Sequence, residues 1–115
     1  MDTSTPAVTA AVHDGGTVLA EATTIDARRH TELLVPMVVD VLERAGVART
    51  DLTEIAIGAG PGPFTGLRVG LAAARTLGFA LGIPVHGVCS LDIVAHGVRS
   101  DRPFVVATDA RRREV

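Results

Sequence analysis

A hairpin followed by alternating helices and short apolar strands makes this an α/β chain built on a mixed sheet. Three observations predict it. Small and β-branched residues flank a turn at Asp14-Gly15-Gly16. Two long segments carry apolar residues at helical spacing. Short apolar runs stand between and after those segments. Parallel pairing of such runs needs crossovers, and the helical segments supply them.

Each element has its own signal. Ala7 to His13 reads as a strand, Asp14-Gly15-Gly16 as a turn needing positive φ, and Thr17 to Thr24 as the returning strand. Arg29 to Ala45 reads as a helix, with Leu33, Leu34, Met37, Val38, Val41 and Leu42 on one stripe and Gly46 as its C-cap. Pro36 removes one backbone bond within it. Val35 and Val39 widen the apolar face, and a helix apolar on two sides has two partners. Glu54 to Gly58 is a buried strand, Gly60-Pro61-Gly62-Pro63 a sharp turn, and Thr65 to Gly82 the second long helix. Pro84 to Val88 is a further strand. Ser90 is a natural N-cap for a helix reaching about Val98, and Phe104 to Asp109 reads as a last strand.

Composition narrows the function classes. The 115 residues fit one domain, and 47% hydrophobic content is enough for a core, which argues against a disordered chain. Only 3% aromatic residues, with no Trp and no Tyr, argue against a stacking platform for single-stranded RNA, and the net charge of −2 argues against gripping nucleic acid by bulk charge. Cys89 is the only cysteine, which rules out an internal disulfide and a cysteine-based zinc site. No apolar run is long enough to span a membrane, and the N-terminus is polar within two residues; the expected compartment is the cytoplasm.

The ends carry an expectation of their own. Asp2-Thr3-Ser4-Thr5-Pro6 reads as the far end of a strand and the turn after it, and Val115 falls where a new strand should begin. The expectation is a first strand that is incomplete and a C-terminal half that lies beyond this sequence.

The most informative stretch runs from Gly58 to Gly70, GAGPGPFTGLRVG. Glycines and prolines between a strand and a helix fix a particular backbone path, and a helix start reached this way can hold an anion. It is neither a Walker loop nor a dinucleotide fingerprint, since no Gly-Lys-Ser/Thr follows and proline sits inside the turn. Gly66, Gly70, Ala74, Gly78 and Gly82 recur every four residues on one stripe. Helical glycines are unfavourable by roughly 1 kcal/mol each. Two readings offset that: close approach of another polypeptide, or close packing on the chain's own sheet. Leu67, Leu71, Leu77 and Leu81 lie beside the stripe, and with the first helix they suggest a helix–helix subunit contact.

Asp2-Thr3-Ser4-Thr5-Pro6, Arg28 to Pro36, Gly60 to Gly70, Gly87 to Asp92 and Asp109-Ala110-Arg111 occur in an order that resembles the TsaB family over essentially the whole chain. The resemblance implies an actin-like ATPase (ribonuclease H-like) N-terminal lobe over residues 1–102, with residues 103–115 opening a second lobe. It implies a non-catalytic scaffold for the related TsaD, which transfers a threonylcarbamoyl group to the tRNA adenosine beside the anticodon. It also implies partnership with the ATPase TsaE, with a homodimer as an alternative pairing, and with tRNA through the complex. The family's interface uses the two long helices. Carried over, the contact residues are Leu34, Met37, Val38, Val41, Phe64, Leu67, Arg68, Leu71 and Arg75.

The same resemblance supplies a metal test. TsaD-like proteins carry two histidines four residues apart, where this chain has Ser90 and Val94; His86 and His96 are out of register. No metal or other cofactor and no independent transferase activity are expected. Asp2, Thr3 and Thr5 resemble a degenerate phosphate loop, although Asp and Thr equally cap a turn. His30 lacks an assignable partner for base catalysis, and Arg111-Arg112-Arg113 reads as a solvated strand end with tRNA phosphates as the alternative. Two rivals remain: a metal-dependent transferase or peptidase-like enzyme of the same superfamily, and an actin-like kinase fragment.

Overall fold

The structure is a computed structural model that describes residues 1–26 and 28–107, with the Phe64 side chain left out. The hairpin pairs β1 (Ala7–His13) with β2 (Val18–Ile25) antiparallel, from Ala7 opposite Ile25 to His13 opposite Val18. The Asp14 carboxylate closes the turn, accepting from the Thr17 and Gly16 N–H groups at 2.8 Å each, and Gly15 supplies the positive φ of 97°. Those bonds, Thr17 first, lower the Asp14 pKa. Their contribution is therefore complete above the ordinary carboxylate range and lost as pH falls through the lowered value.

Helix α1 (His30–Ala45) follows and ends on Gly46 at φ 68°, with Val47 N–H bonded back to Leu42. Strand β3 (Ile55–Gly58), helix α2 (Phe64–Leu81), strand β4 (Val85–Val88) and helix α3 (Ser90–His96) complete the order. β3 and β4 pair in parallel, Ile55 opposite Val85, with α2 as the crossover.

The mixed sheet takes the form of two two-stranded pieces joined by two residues. Asp2 exchanges both backbone bonds with Thr9 of β1, at 3.0 Å each. On its other side, the Met1 carbonyl accepts from Gly58 N–H and the Met1 ammonium donates to the Ala56 carbonyl, both at 3.0 Å. Met1–Asp2 is thus antiparallel to β1 and parallel to β3. Burial around the ammonium lowers its pKa.

Two apolar clusters lie under this arrangement. Val8, Ala10 and Val12 alternate inward from β1 and meet Leu34, Met37 and Val41 of α1. Ile55 and Ile57 of β3 meet Ala74 of α2. Each large side chain buried this way stabilises the fold by about 1.5–3 kcal/mol.

The glycine stripe of α2 faces inward. A Cβ on Gly66 would sit 2.9 Å from the Thr3 carbonyl oxygen; one on Gly70 would sit 2.5 Å from Thr3 Oγ1 and 2.9 Å from Ile57 Cδ1; and one on Gly78 would overlap Val85. Of the two readings the sequence leaves open, packing on the chain's own sheet holds for these three positions.

Two local expectations change. Ser90 is the first residue of α3 rather than its cap; Cys89 precedes it without a side-chain bond, and the Ser90 hydroxyl accepts from Gly60 N–H at 3.0 Å. Residues 103–107 are not strand, and Val105 is 91% exposed. A β-branched run without a paired edge gains nothing from strand geometry. Residues 108–109 of that expected strand, and Asp109 to Arg113 with their motif and tRNA readings, lie outside the described residues.

The inward stripe makes a prediction. Gly70→Ala would add about 1 kcal/mol of helix propensity, but forcing a methyl against Thr3 and Ile57 costs about 1–3 kcal/mol. A net loss is expected, read as a thermal midpoint lowered by several degrees. A midpoint equal to or above that of the parent protein would contradict the close approach.

Candidate functional site

The residues expected at a partner interface divide by burial. Leu34, Met37 and Val41 are 1%, 8% and 1% exposed and belong to the core beneath the hairpin. They offer no area to a partner as placed. The physical reason is that α1 turns its i, i+3, i+7 stripe to β1 and β2, where it meets the apolar face of the hairpin. Val38 is half-buried against the same cluster, and Leu71 against the β3 cluster. Leu67 is half-buried and packs close to Gly60. Arg68 and Arg75 are exposed, and the Phe64 side chain lies outside the described residues.

A different set of apolar side chains reaches solvent. Val35 and Val39 stand on the outer side of α1, and Phe79 on α2 is 93% exposed. α1 and α2 pack on each other. Arg68, Ala72, Arg75 and Phe79 are exposed positions spaced three or four apart, as one outward stripe of α2 requires. The second apolar side of α1 is legible in its sequence. Phe79 is the residue that sequence reasoning missed, because one aromatic among leucines and alanines carries no periodic signal.

The N-terminal turn is held from four sides. Asp2 Oδ1 accepts from Ser4 N–H at 2.9 Å. The Thr3 hydroxyl is buried, donates to the Gly66 carbonyl at 2.7 Å and accepts from Gly70 N–H at 2.9 Å. It therefore touches both ends of one rung of the α2 ladder. The Thr5 hydroxyl accepts from Ala7 N–H at 3.1 Å, and His30 Nε2 donates to the Thr5 carbonyl at 2.7 Å. The residues expected as a degenerate phosphate loop thus have local partners: Asp2 and Thr5 close turns, and Thr3 fastens a helix. Ser4 Oγ is buried without a partner.

At the two positions where the resemblance sets its histidine test, Ser90 bonds to Gly60 and Val94 is exposed on α3. His86 lies 3.4 Å from Glu54 on the surface. Among the described residues no three His, Cys, Asp or Glu side chains gather as a metal site would require. No helix among them is long and apolar enough to cross a membrane.

A mixed sheet backed by two long helices, one entered through a glycine–proline turn, is the architecture of an actin-like lobe of the TsaD type. Residues 17–115 match the family described as TsaD: tRNA N6-adenosine threonylcarbamoyltransferase, and the chain belongs to it. Within the family it stands with TsaB, or YeaZ. The Escherichia coli protein named tRNA threonylcarbamoyladenosine biosynthesis protein TsaB is 37% identical over 118 residues, covering 100% of this chain and 51% of the relative. The Bacillus subtilis protein of that name is 35% identical over 116 residues, with 100% and 51% covered. An uncharacterised Mycobacterium tuberculosis protein is 52% identical over 118 residues, with 100% and 54% covered. The solved structure of YeaZ from Pseudomonas aeruginosa superimposes with a TM-score of 0.78 at 41% identity, over 82% of this chain and 44% of that one. The chain spans about half the length of these relatives.

Neighbouring residues of the turn should respond in opposite ways. Thr3→Val leaves the Gly66 carbonyl and Gly70 N–H without their side-chain partner and should lose about 2 kcal/mol by chemical denaturation, whereas Thr3→Ser should lose less. Ser4→Ala removes an orphaned hydroxyl and should leave stability unchanged or higher. The reverse order of Thr3→Val and Ser4→Ala would refute the assignment.

Proposed function

We propose that this chain is the N-terminal lobe of a non-catalytic scaffold that supports a TsaD-type subunit in threonylcarbamoyl transfer to tRNA. The observation that carries the reading is the outward apolar side of α1 and α2: Val35, Val39 and Phe79 in exposed positions, in a relative of proteins named TsaB. Solvent-facing Val35 and Val39, four residues apart on α1, together with Phe79 on α2, favour docking against another helix pair. In this reading Arg68 and Arg75, which are exposed, and the half-buried Val38, Leu67 and Leu71 would add to the contact, while the buried Leu34, Met37 and Val41 would only hold α1 in place. A TsaE-type ATPase and tRNA would be reached through the complex in the cytoplasm, and a homodimer would use the same helices. Ser90 and Val94, at the positions expected for histidine ligands, favour the scaffold over a metal-dependent transferase or peptidase-like enzyme.

Co-expression with a TsaD-type partner tests this. Val39→Glu or Phe79→Glu should abolish co-purification while leaving the thermal midpoint within a few degrees of the parent, because both side chains face solvent in the free chain. Leu34→Glu should instead prevent folding. Unchanged capture by folded Val39→Glu and Phe79→Glu variants would remove the interface.

The lobe reading also assigns residues 1–102 to one unit, residues 103–115 to the start of another, and a longer first strand to the line of Met1–Asp2. Beyond Met1, Ala10 and Ala11 of β1 and Ala56 of β3 line open space between the strands. Ladder alternation points the Ala11 backbone groups the same way as those of Thr9, into that space. Four alternating β-branched residues fused ahead of Met1 should raise the thermal midpoint by several degrees, about 1 kcal/mol or more. An unchanged midpoint would contradict the longer strand.

A further inference from the structure

Strand β2 leaves one edge of the hairpin open. Thr9 exchanges both of its backbone bonds with Asp2, so its N–H and C=O point away from β2. Alternation along the ladder then turns Ala10 toward Ala22, and turns the backbone groups of Glu21, Thr23 and Ile25 outward, away from β1. Among the described residues no strand receives them. Such a row of unpaired groups is a template for another strand, and chains ordinarily blunt it with Lys, Pro or a bulge. Here β2 has no Lys and no Pro, its one charge is Glu21, and its register shift lies at the turn end, opposite Val12 and His13.

One side chain covers the open run. Arg44, in the last turn of α1, reaches to the edge and donates from its guanidinium to the Glu21 carbonyl at 2.8 Å. Its Nε donates to Asp40 Oδ2 at 2.9 Å, one turn back on the same helix. Asp40 thus steadies the guanidinium in front of the middle of β2. There it occupies the carbonyl that an incoming strand would need, and it sets a charge in that strand's path.

We propose that Arg44 is a guard on this edge, and that the edge it closes is a strand-pairing surface for a second copy of this chain. Antiparallel pairing about a two-fold axis at Ala22 sets Glu21 opposite Thr23 of the other copy, and Ala20 opposite Thr24. The outward backbone groups of Glu21 and Thr23 then bond to each other across the axis, and no like charges face one another. Ile25, 79% exposed, comes to the end of the other copy's strand where Leu19 is 42% exposed. The competing registers are poorer. An axis at Glu21 sets two carboxylates against each other, and one at Thr23 leaves Leu19 and Ala20 beyond the end of the other strand. The inference does not depend on the scaffold reading, since it uses none of Val35, Val39 and Phe79.

The test is sedimentation velocity of the whole chain over a range of concentrations. Arg44→Ala should self-associate at least tenfold more tightly than the parent chain, and by the same factor when Phe79→Glu is added to both, since that change acts on the helices alone. Two variants of one residue should each cancel the gain in the Arg44→Ala chain. Thr23→Pro removes an outward N–H without touching the β1 ladder, and Thr23→Glu sets a second carboxylate opposite Glu21 of the other copy. Amide hydrogen exchange at Thr23 and Ile25 should slow as the Arg44→Ala chain associates. Association no tighter than the parent's, a gain that survives either Thr23 variant, or unchanged exchange at Thr23 and Ile25 would overturn the proposal.

Discussion

The structure depends on how closely the backbone of Asp2-Thr3-Ser4 approaches the turn and helix beside it. Side chains at Gly58 and Gly62 would overlap Asp2 and the Ser4 backbone, and those at Gly66 and Gly70 would press on Thr3. Four glycines at four-residue intervals thus form one groove, running from the end of β3 through the turn and into α2, and the N-terminal residues lie in it. The groove brings the Thr3 hydroxyl onto the Gly66–Gly70 rung and Met1–Asp2 between β1 and β3. Without it the hairpin with α1 and the β3–β4 pair with α2 would be two small units, each too small to bury a core of its own.

This constraint decides which faces remain for other molecules. Because α2 uses its glycines inward, its close-approach surface is already taken by its own sheet. The outward side has ordinary side chains, Arg68, Ala72, Arg75 and Phe79, in place of a bare backbone. Docking there would proceed by ridges and grooves at helix–helix distances, without the close backbone contact that a glycine notch allows. On α1, Leu34, Met37 and Val41 face the sheet while Val35 and Val39 face out.

Much of this is legible in the residues, and the pattern of what is not has a cause. The hairpin, both long helices and both later strands are set by local signals: alternation, turn glycines, apolar spacing and the glycine C-cap at Gly46. These need no knowledge of the rest of the chain. Direction is different. Leu34, Met37 and Val41 share a stripe with helical spacing, but spacing is the same whether the stripe meets a sheet or a partner. The glycine stripe is ambiguous for the same reason, and only the path of residues 2–4, far away in sequence, resolves it. Phe104 and Val105 show the converse: strong strand propensity at residues 103–107 does not make a strand where no neighbouring edge receives it.

The two helices of the candidate interface share a mechanical foundation. Thr3 fastens α2, and His30 fastens the start of α1 to the Thr5 carbonyl, so both helices are tied to the same four-residue turn. A change that moves this turn moves both helix starts together, and with them the relation between the two outward faces. A partner on the outer faces would load that joint. Rigid coupling of this kind needs no chain of intermediates, because one segment is common to both helices, fixed to α2 by two hydrogen bonds and to α1 by one.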